Sequence, residues 1–111
     1  MITYLQISTT VPSEDMASRL ARSITENRLA ACVQIVGPIR SIYWWQGNLE
    51  NSQEWLLQIK ATLSLFPALE KHIKANHSYE TPEIIATEIV TGNAEYLAWI
   101  SAETKRSGAS S

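Results

Sequence analysis

The sequence predicts an α+β domain on the ferredoxin-like, split βαβ plan: a βαββαβ sandwich with a long β-hairpin and one extra helix at its C-terminal end. Three observations carry this. Segments whose apolar residues alternate every second position take turns with segments spaced at three and four. Two β-prone runs meet at Gly47-Asn48, a Gly-X pair that reads as a hairpin turn with Gly in the left-handed conformation. The 111 residues, 45% of them apolar, suffice for one domain with a modest core. The reading places a single domain over residues 1–103 and a disordered polar tail over 104–111.

Residues 2–9 alternate, with Leu5 and Ile7 on one face and Tyr4, Gln6 and Ser8 on the other. Val11-Pro12-Ser13 breaks the strand, and Ser13 reads as an N-cap followed by the dipole-complementing Glu14 and Asp15. Met16, Ala17, Leu20, Ala21 and Ile24 form the apolar stripe of a helix that ends near Asn27, a residue suited to the left-handed conformation. A long strand then covers 32–46, interrupted at Gly37-Pro38 by a bulge, a bend or a sheet edge, because proline has no N–H to donate. On the return arm Trp55, Leu57 and Ile59 point one way, and Leu56, Gln58 and Lys60 the other. A second helix covers 64–76, with Pro67 in its first turn and Phe66, Leu69 and Ile73 as its stripe. Residues 83–90 read as a nearly fully buried strand. Asn93 caps a last helix anchored by Tyr96, Leu97, Trp99 and Ile100.

Both arms of the hairpin are too long for the domain. They run from the turn back to Cys32 and forward to Lys60, approaching ~40 Å each at about 3.3 Å per residue. A domain of this size has a radius of gyration of only ~13 Å. The tip, with Tyr43, Trp44, Trp45 and Leu49, therefore projects, and a projecting apolar arm implies a partner surface. The sheet face opposite the helices is expected to carry aromatic and mixed side chains with nothing of the same chain to cover it. The chain reads first as an obligate oligomer. Trp44, Trp45 and Trp55 are expected as interface and core anchors, with Trp99 pinning the last helix.

Composition narrows the function. A net charge of −2 argues against a nucleic-acid surface. No apolar run approaches the ~18 residues of a membrane span, and no signal-like segment precedes the first strand, so the expected compartment is cytoplasmic. The single cysteine, Cys32, allows no internal disulfide. Neither a Gly-x-Ser-x-Gly nor a phosphate-binding loop occurs, and a conventional enzyme is not expected. For a soft or borderline metal the chain offers Cys32, His72 and His77. His72 and His77 stand about 140° apart on a helix and do not chelate together unless the helix stops between them. The alternative makes His72 a solvated helix residue, Cys32 a packed small one and His77 a loop cap. Lys60 and Glu83, beside apolar strand segments, need partners if buried. Together with Tyr79 and Trp45 they either line a cleft between subunits that takes an anion or a zwitterion, or form a structural ion pair at the contact.

Several spaced blocks carry a resemblance: Leu29-Ala30-Ala31-Cys32; Ser41-Ile42-Tyr43 with Trp45, Gly47, Leu49, Glu50 and Glu54; Ile59-Lys60; His77, Tyr79 and Thr81-Pro82-Glu83; and Tyr96-Leu97 with Trp99. Taken in order over residues 4–99, they resemble the CutA divalent-cation tolerance family. The resemblance implies a homotrimer similar in architecture to the PII signalling proteins, a role in tolerance of copper and other divalent ions, and, from animal members, a protein partner of unspecified kind. It implies no cofactor beyond Cu²⁺ or another divalent cation. The copper ligands described in that family fall here on Thr9, Asn76 and His77, and Ser78 replaces the proline that follows. Only His77 keeps ligand chemistry, which implies at most a weak metal contact there, joined by Glu80 or a neighbouring subunit. The alternative function is a PII-like module that binds a small metabolite at the intersubunit cleft; a third is a purely structural trimer whose cellular effect is indirect.

Overall fold

A computed structural model describes residues 1–105 of the chain. Strand β1 (Tyr4–Val11) ends where Pro12 removes the next ladder donor. Helix α1 (Glu14–Glu26) starts on Ser13, whose Oγ accepts the Met16 N–H at 3.1 Å. Its C-terminal end differs from the expected one. Asn27 is not left-handed; Arg28 is, with φ 58°. The Leu29 N–H reaches the Ile24 carbonyl and the Arg28 N–H reaches that of Thr25, the paired bonds that close a helix around a left-handed residue.

Strands β2 (Cys32–Trp45) and β3 (Asn48–Thr62) form the long hairpin. The turn residues are Gln46 and Gly47, one position earlier than Gly47-Asn48. Both have positive φ, 50° and 82°, as a two-residue turn that follows the strand twist requires. A 3-10 turn (Leu63–Leu65) leads into helix α2 (Phe66–Ala75), with Pro67 in the first turn. Strand β4 (Ile85–Glu88) and helix α3 (Ala94–Glu103) complete the order, and the Asn93 side chain caps α3. No helix among the described residues is long and apolar enough to cross a membrane. Of the tail expected at 104–111, Thr104 and Lys105 are hydrogen-bonded to Ile100 and Arg28, and residues 106–111 lie outside the described residues.

The sheet is antiparallel in the order β2-β3-β1-β4. Leu5, Ile7 and Val11 of β1 and Leu57, Ile59 and Ala61 of β3 share one buried cluster with Ala17, Leu20 and Ile24 of α1 and Leu69 and Ile73 of α2. Both helices thus cover one face. The other face is mixed: at its centre cross-strand pairing aligns Gln6 with Lys60 and Cys32, and Ser8 with Gln58 and Gln34, while its aromatic residues, Tyr4, Tyr43 and Trp45, stand away from that centre. Two expectations about burial fail. Residues 83–90 are not a nearly buried strand; only Ile85–Glu88 pair, all four are exposed, and β4 is an edge strand with β1 as its one neighbour. Tyr96 and Trp99 do not anchor α3 inward; only Ile100 is fully buried, while the two rings lie against each other, exposed, with centroids 5.5 Å apart.

The hairpin interruption is a bulge. Val36 pairs with Leu56 and Ile39 with Glu54, so Gly37 and Pro38 together oppose Trp55. Trp55, half-buried against the core cluster, lies directly on Gly37: a Cβ there would come within 2.2 Å of the indole Cδ1. We expect Gly37→Ala to displace the indole and lower the urea midpoint by the equivalent of about 1–3 kcal/mol.

His72 is not a solvated helix residue. Its Nε2 is 2.7 Å from the Ser23 hydroxyl, joining α2 to α1. Burial first, and then the Lys105 ammonium, hold its pKa below the ordinary 6.5. The folded chain therefore takes up this proton less readily than the unfolded one. The contribution of neutral His72 is complete above 6.5 and is lost as the pH falls below that value. Melting temperatures recorded from about pH 7 down to about pH 5 should fall, and should fall less steeply in His72→Gln.

Candidate functional site

The base of the hairpin lies where β1 runs out. The last rung that β1 shares with β3 is Val11 with Trp55, and from Glu54 outward β2 and β3 continue as a two-stranded finger. Side chains alternate along it. Ile42, Trp44 and Leu49 fall on one face and Tyr43, Trp45 and Glu54 on the other, as the pairs Tyr43 with Glu50, Trp44 with Leu49 and Ile39 with Glu54 require. The adjacent tryptophans therefore serve different surfaces.

The segment after α2 fills the place β1 has vacated. His77 Nδ1 accepts the Tyr79 N–H at 3.0 Å, and His77 Nε2 lies 2.7 Å from the Thr10 carbonyl. A backbone N–H only donates and a carbonyl only accepts, so the ring is neutral with its proton on Nε2. This pins the loop to the end of β1. Tyr79 then donates its hydroxyl to Glu54 Oε2 at 2.8 Å. Burial, followed by the bond to Glu54, pushes the Tyr79 phenol well above its ordinary range, which keeps the proton on the tyrosine.

Between finger and loop lies a cavity of about 380 Å³ lined by Tyr43, Trp45, Glu54, Tyr79, Glu80 and Glu83, among others. Glu54 is 5% exposed, whereas Glu80 and Glu83 stand at the solvent edge. None of the ion pairs found among the described residues involves Glu54; they join Arg19 to Asp15, Arg28 to Glu103 and Lys74 to Glu70. No Lys or Arg lines the cavity among the described residues.

Of the cleft residues expected from the sequence, Trp45, Tyr79 and Glu83 come together here and Lys60 does not. Lys60 sits six residues along β3 from Glu54, about 20 Å away at strand rise, and donates to Gln34 Oε1 at 2.8 Å. It makes no ion pair with Glu83 within the subunit. Sequence reasoning missed Glu54 as the buried member of the site. Its signal was a carboxylate one position before the alternating run that starts at Trp55.

The residues at the family's copper-ligand positions do not fit a copper centre of that design. Both nitrogens of His77 are already hydrogen-bonded. The Asn76 amide donates to the His72 carbonyl at 2.8 Å. Thr9 is wholly buried, and its Oγ1 has no hydrogen-bond partner in the structure. Among the described residues no three His, Cys, Asp or Glu side chains converge, and Cys32, half-buried at the start of β2, lies beside Lys60.

The chain matches the family model described as CutA1 divalent ion tolerance protein over residues 5–103. It is 49% identical over 98 residues to a chloroplastic CutA 1 protein of Oryza sativa, covering 88% of this chain and 55% of that one. It is 50% identical over 95 residues to the divalent-cation tolerance protein CutA of Thermus thermophilus, covering 86% and 92%. It thus spans about half the length of the rice relative and nearly all of the bacterial one. Among solved structures it resembles CutA1 of Oryza sativa, with a TM-score of 0.93 at 45% identity over 96% of this chain and 97% of that one. It also resembles a periplasmic divalent cation tolerance protein CutA from Archaeoglobus fulgidus, with a TM-score of 0.89 at 38% identity over 92% and 99%. The chloroplastic and periplasmic relatives overturn the expectation of a cytoplasmic compartment, since members of this kind also work outside the cytoplasm. With a family model matched over residues 5–103 and half of its aligned positions shared with the Thermus protein, the chain belongs to the CutA1 divalent ion tolerance family.

Proposed function

We propose that the chain serves divalent-cation tolerance as a non-enzymatic subunit of a homotrimer, and that its influence on copper and other divalent ions runs through the assembly, not through a metal centre inside the subunit. The supporting observation is the outer face of the finger, where Ile42, Trp44 and Leu49 stand 66%, 73% and 61% exposed. Soluble monomers rarely leave such a continuous apolar patch in water. A two-stranded ribbon is also marginally stable by itself. A neighbouring copy seated on this face answers both costs. The family resemblance supplies the number of subunits. A second reading, a PII-like module that takes a small molecule in a cleft, is favoured by the cavity behind Trp45.

Light scattering should return three times the single-chain mass of 12.4 kDa. Trp44→Ala should weaken assembly by about 2 kcal/mol, roughly thirtyfold in Kd. A folded wild-type species of single-chain mass at micromolar concentration would overturn the proposal. Titration with CuCl₂ tests the remaining part: saturable binding abolished in His77→Ala would restore a metal centre to the subunit.

A further inference from the structure

We infer that the cavity between the finger and the loop after α2 binds an organic cation, an ammonium or guanidinium group, in preference to an anion or a metal ion. The inference rests on the reading of this cleft as a small-molecule site and names the chemistry it selects. Three aromatic side chains, Tyr43, Trp45 and Tyr79, line a space of about 380 Å³, within the range of small-ligand pockets. Ring faces attract cations. Glu54 lies in the wall, more than nine-tenths buried, with one hydrogen bond from a neutral hydroxyl and no ion-pair partner among the described residues. A buried carboxylate without a counter-charge is costly, and the nearest empty volume that could hold one is this cavity.

Glu80 and Glu83 at the rim extend the same sign of charge outward, which repels anions and draws cations in. A bare metal ion is a poorer match. It wants several converging ligands, no such group is found among the described residues, and aromatic walls supply none. An organic cation uses both features: its charge meets Glu54 and its carbon surface meets the rings.

The test is calorimetric titration, with tryptophan fluorescence in parallel, of the assembled protein against tetramethylammonium, n-butylammonium and guanidinium chlorides. Sodium butyrate and MgCl₂ at matched ionic strength serve as contrasts. At least one organic cation should bind saturably, and butyrate and Mg²⁺ should not. Glu54→Gln keeps an acceptor for Tyr79 while removing the charge; it should weaken binding on the order of tenfold or more with mass and melting temperature retained. Trp45→Leu should weaken it as well. Equal affinity in Glu54→Gln overturns the inference. Binding of butyrate in place of the cations, lost in Trp45→Leu, overturns it and keeps the cleft reading. Binding of none of the probes overturns both. If Glu54→Gln then also lowers the assembled mass, the cationic nitrogen belongs to a neighbouring copy and the free-ligand site is refuted.

Discussion

Strand β1 stops at Val11, since Pro12 cannot donate to the ladder, while β2 and β3 run on for seven more rungs from Ile39 with Glu54 to Trp45 with Asn48. This mismatch shapes the rest of the molecule. It leaves a ribbon of about 20 Å with no third strand beside it. The bulge falls on the rung where the support ends: Gly37 and Pro38 face Trp55, and Trp55 faces Val11. A bulge sharpens the local twist and re-aims the strand beyond it, so the finger leaves the sheet at the point where its neighbour is lost. The same bulge needs a residue without a side chain under the Trp55 indole, which ties the departure of the finger to Gly37.

The vacancy beside Glu54 is closed by the loop after α2, and the closure depends on the protonation geometry of a single ring. His77 accepts from the backbone on one side and donates to Thr10 on the other, sixty-seven residues away in sequence. A half-buried imidazole held at both nitrogens in one tautomer is a structural clasp. Coordination at either nitrogen would release the Tyr79 amide or the Thr10 carbonyl, and the cost of the freed group would count against the metal. The residue that best matches a family ligand position thus holds the loop, and through Tyr79 it holds the wall of the cavity.

The order of elements, the N-caps at Ser13 and Asn93, and the overlong hairpin were legible in the sequence because each depends on local pattern: alternation, spacing, and a side-chain oxygen before an apolar run. The departures lie in the second residue of one turn and in contacts that distant parts of the chain decide. Gly47 marks the turn in the sequence, yet a two-residue turn needs two positive φ values and Gln46 supplies the other against its own preference, which moves the turn one position earlier. Residues 83–90 look apolar enough for a central strand, but burial depends on which edge the strand joins, and β4 joins the outer edge of β1. Within the subunit Lys60 is bonded to Gln34, and a contact with Glu83 of the kind expected between subunits is not a matter of local pattern. The burial of Glu54 has no local signature, because Tyr79 of the loop after α2 reaches it from elsewhere in the chain.

Consistency between local preference and global packing is the rule in folded chains, and departures from it concentrate where function lies. Thr9, buried with an unpartnered hydroxyl, is one departure and Glu54 is another, but they differ in kind. Thr9 lies in the core layer, level with Leu57 across the ladder, with apolar Ile7 and Val11 on either side along its strand. Its cost is that of one neutral hydroxyl. Glu54 lies in the wall of an open space that aromatic rings also line, with two further carboxylates at its solvent edge. Its Tyr79 bond supplies one neutral donor to a buried acidic side chain. A glutamine would accept that same bond without the desolvation cost of a carboxylate, so packing and hydrogen bonding alone favour the amide here. The organic cation inferred above would supply the counter-charge that the described residues of this subunit do not, and on that inference Glu54, more than any histidine or cysteine in the chain, sets the chemistry of this surface.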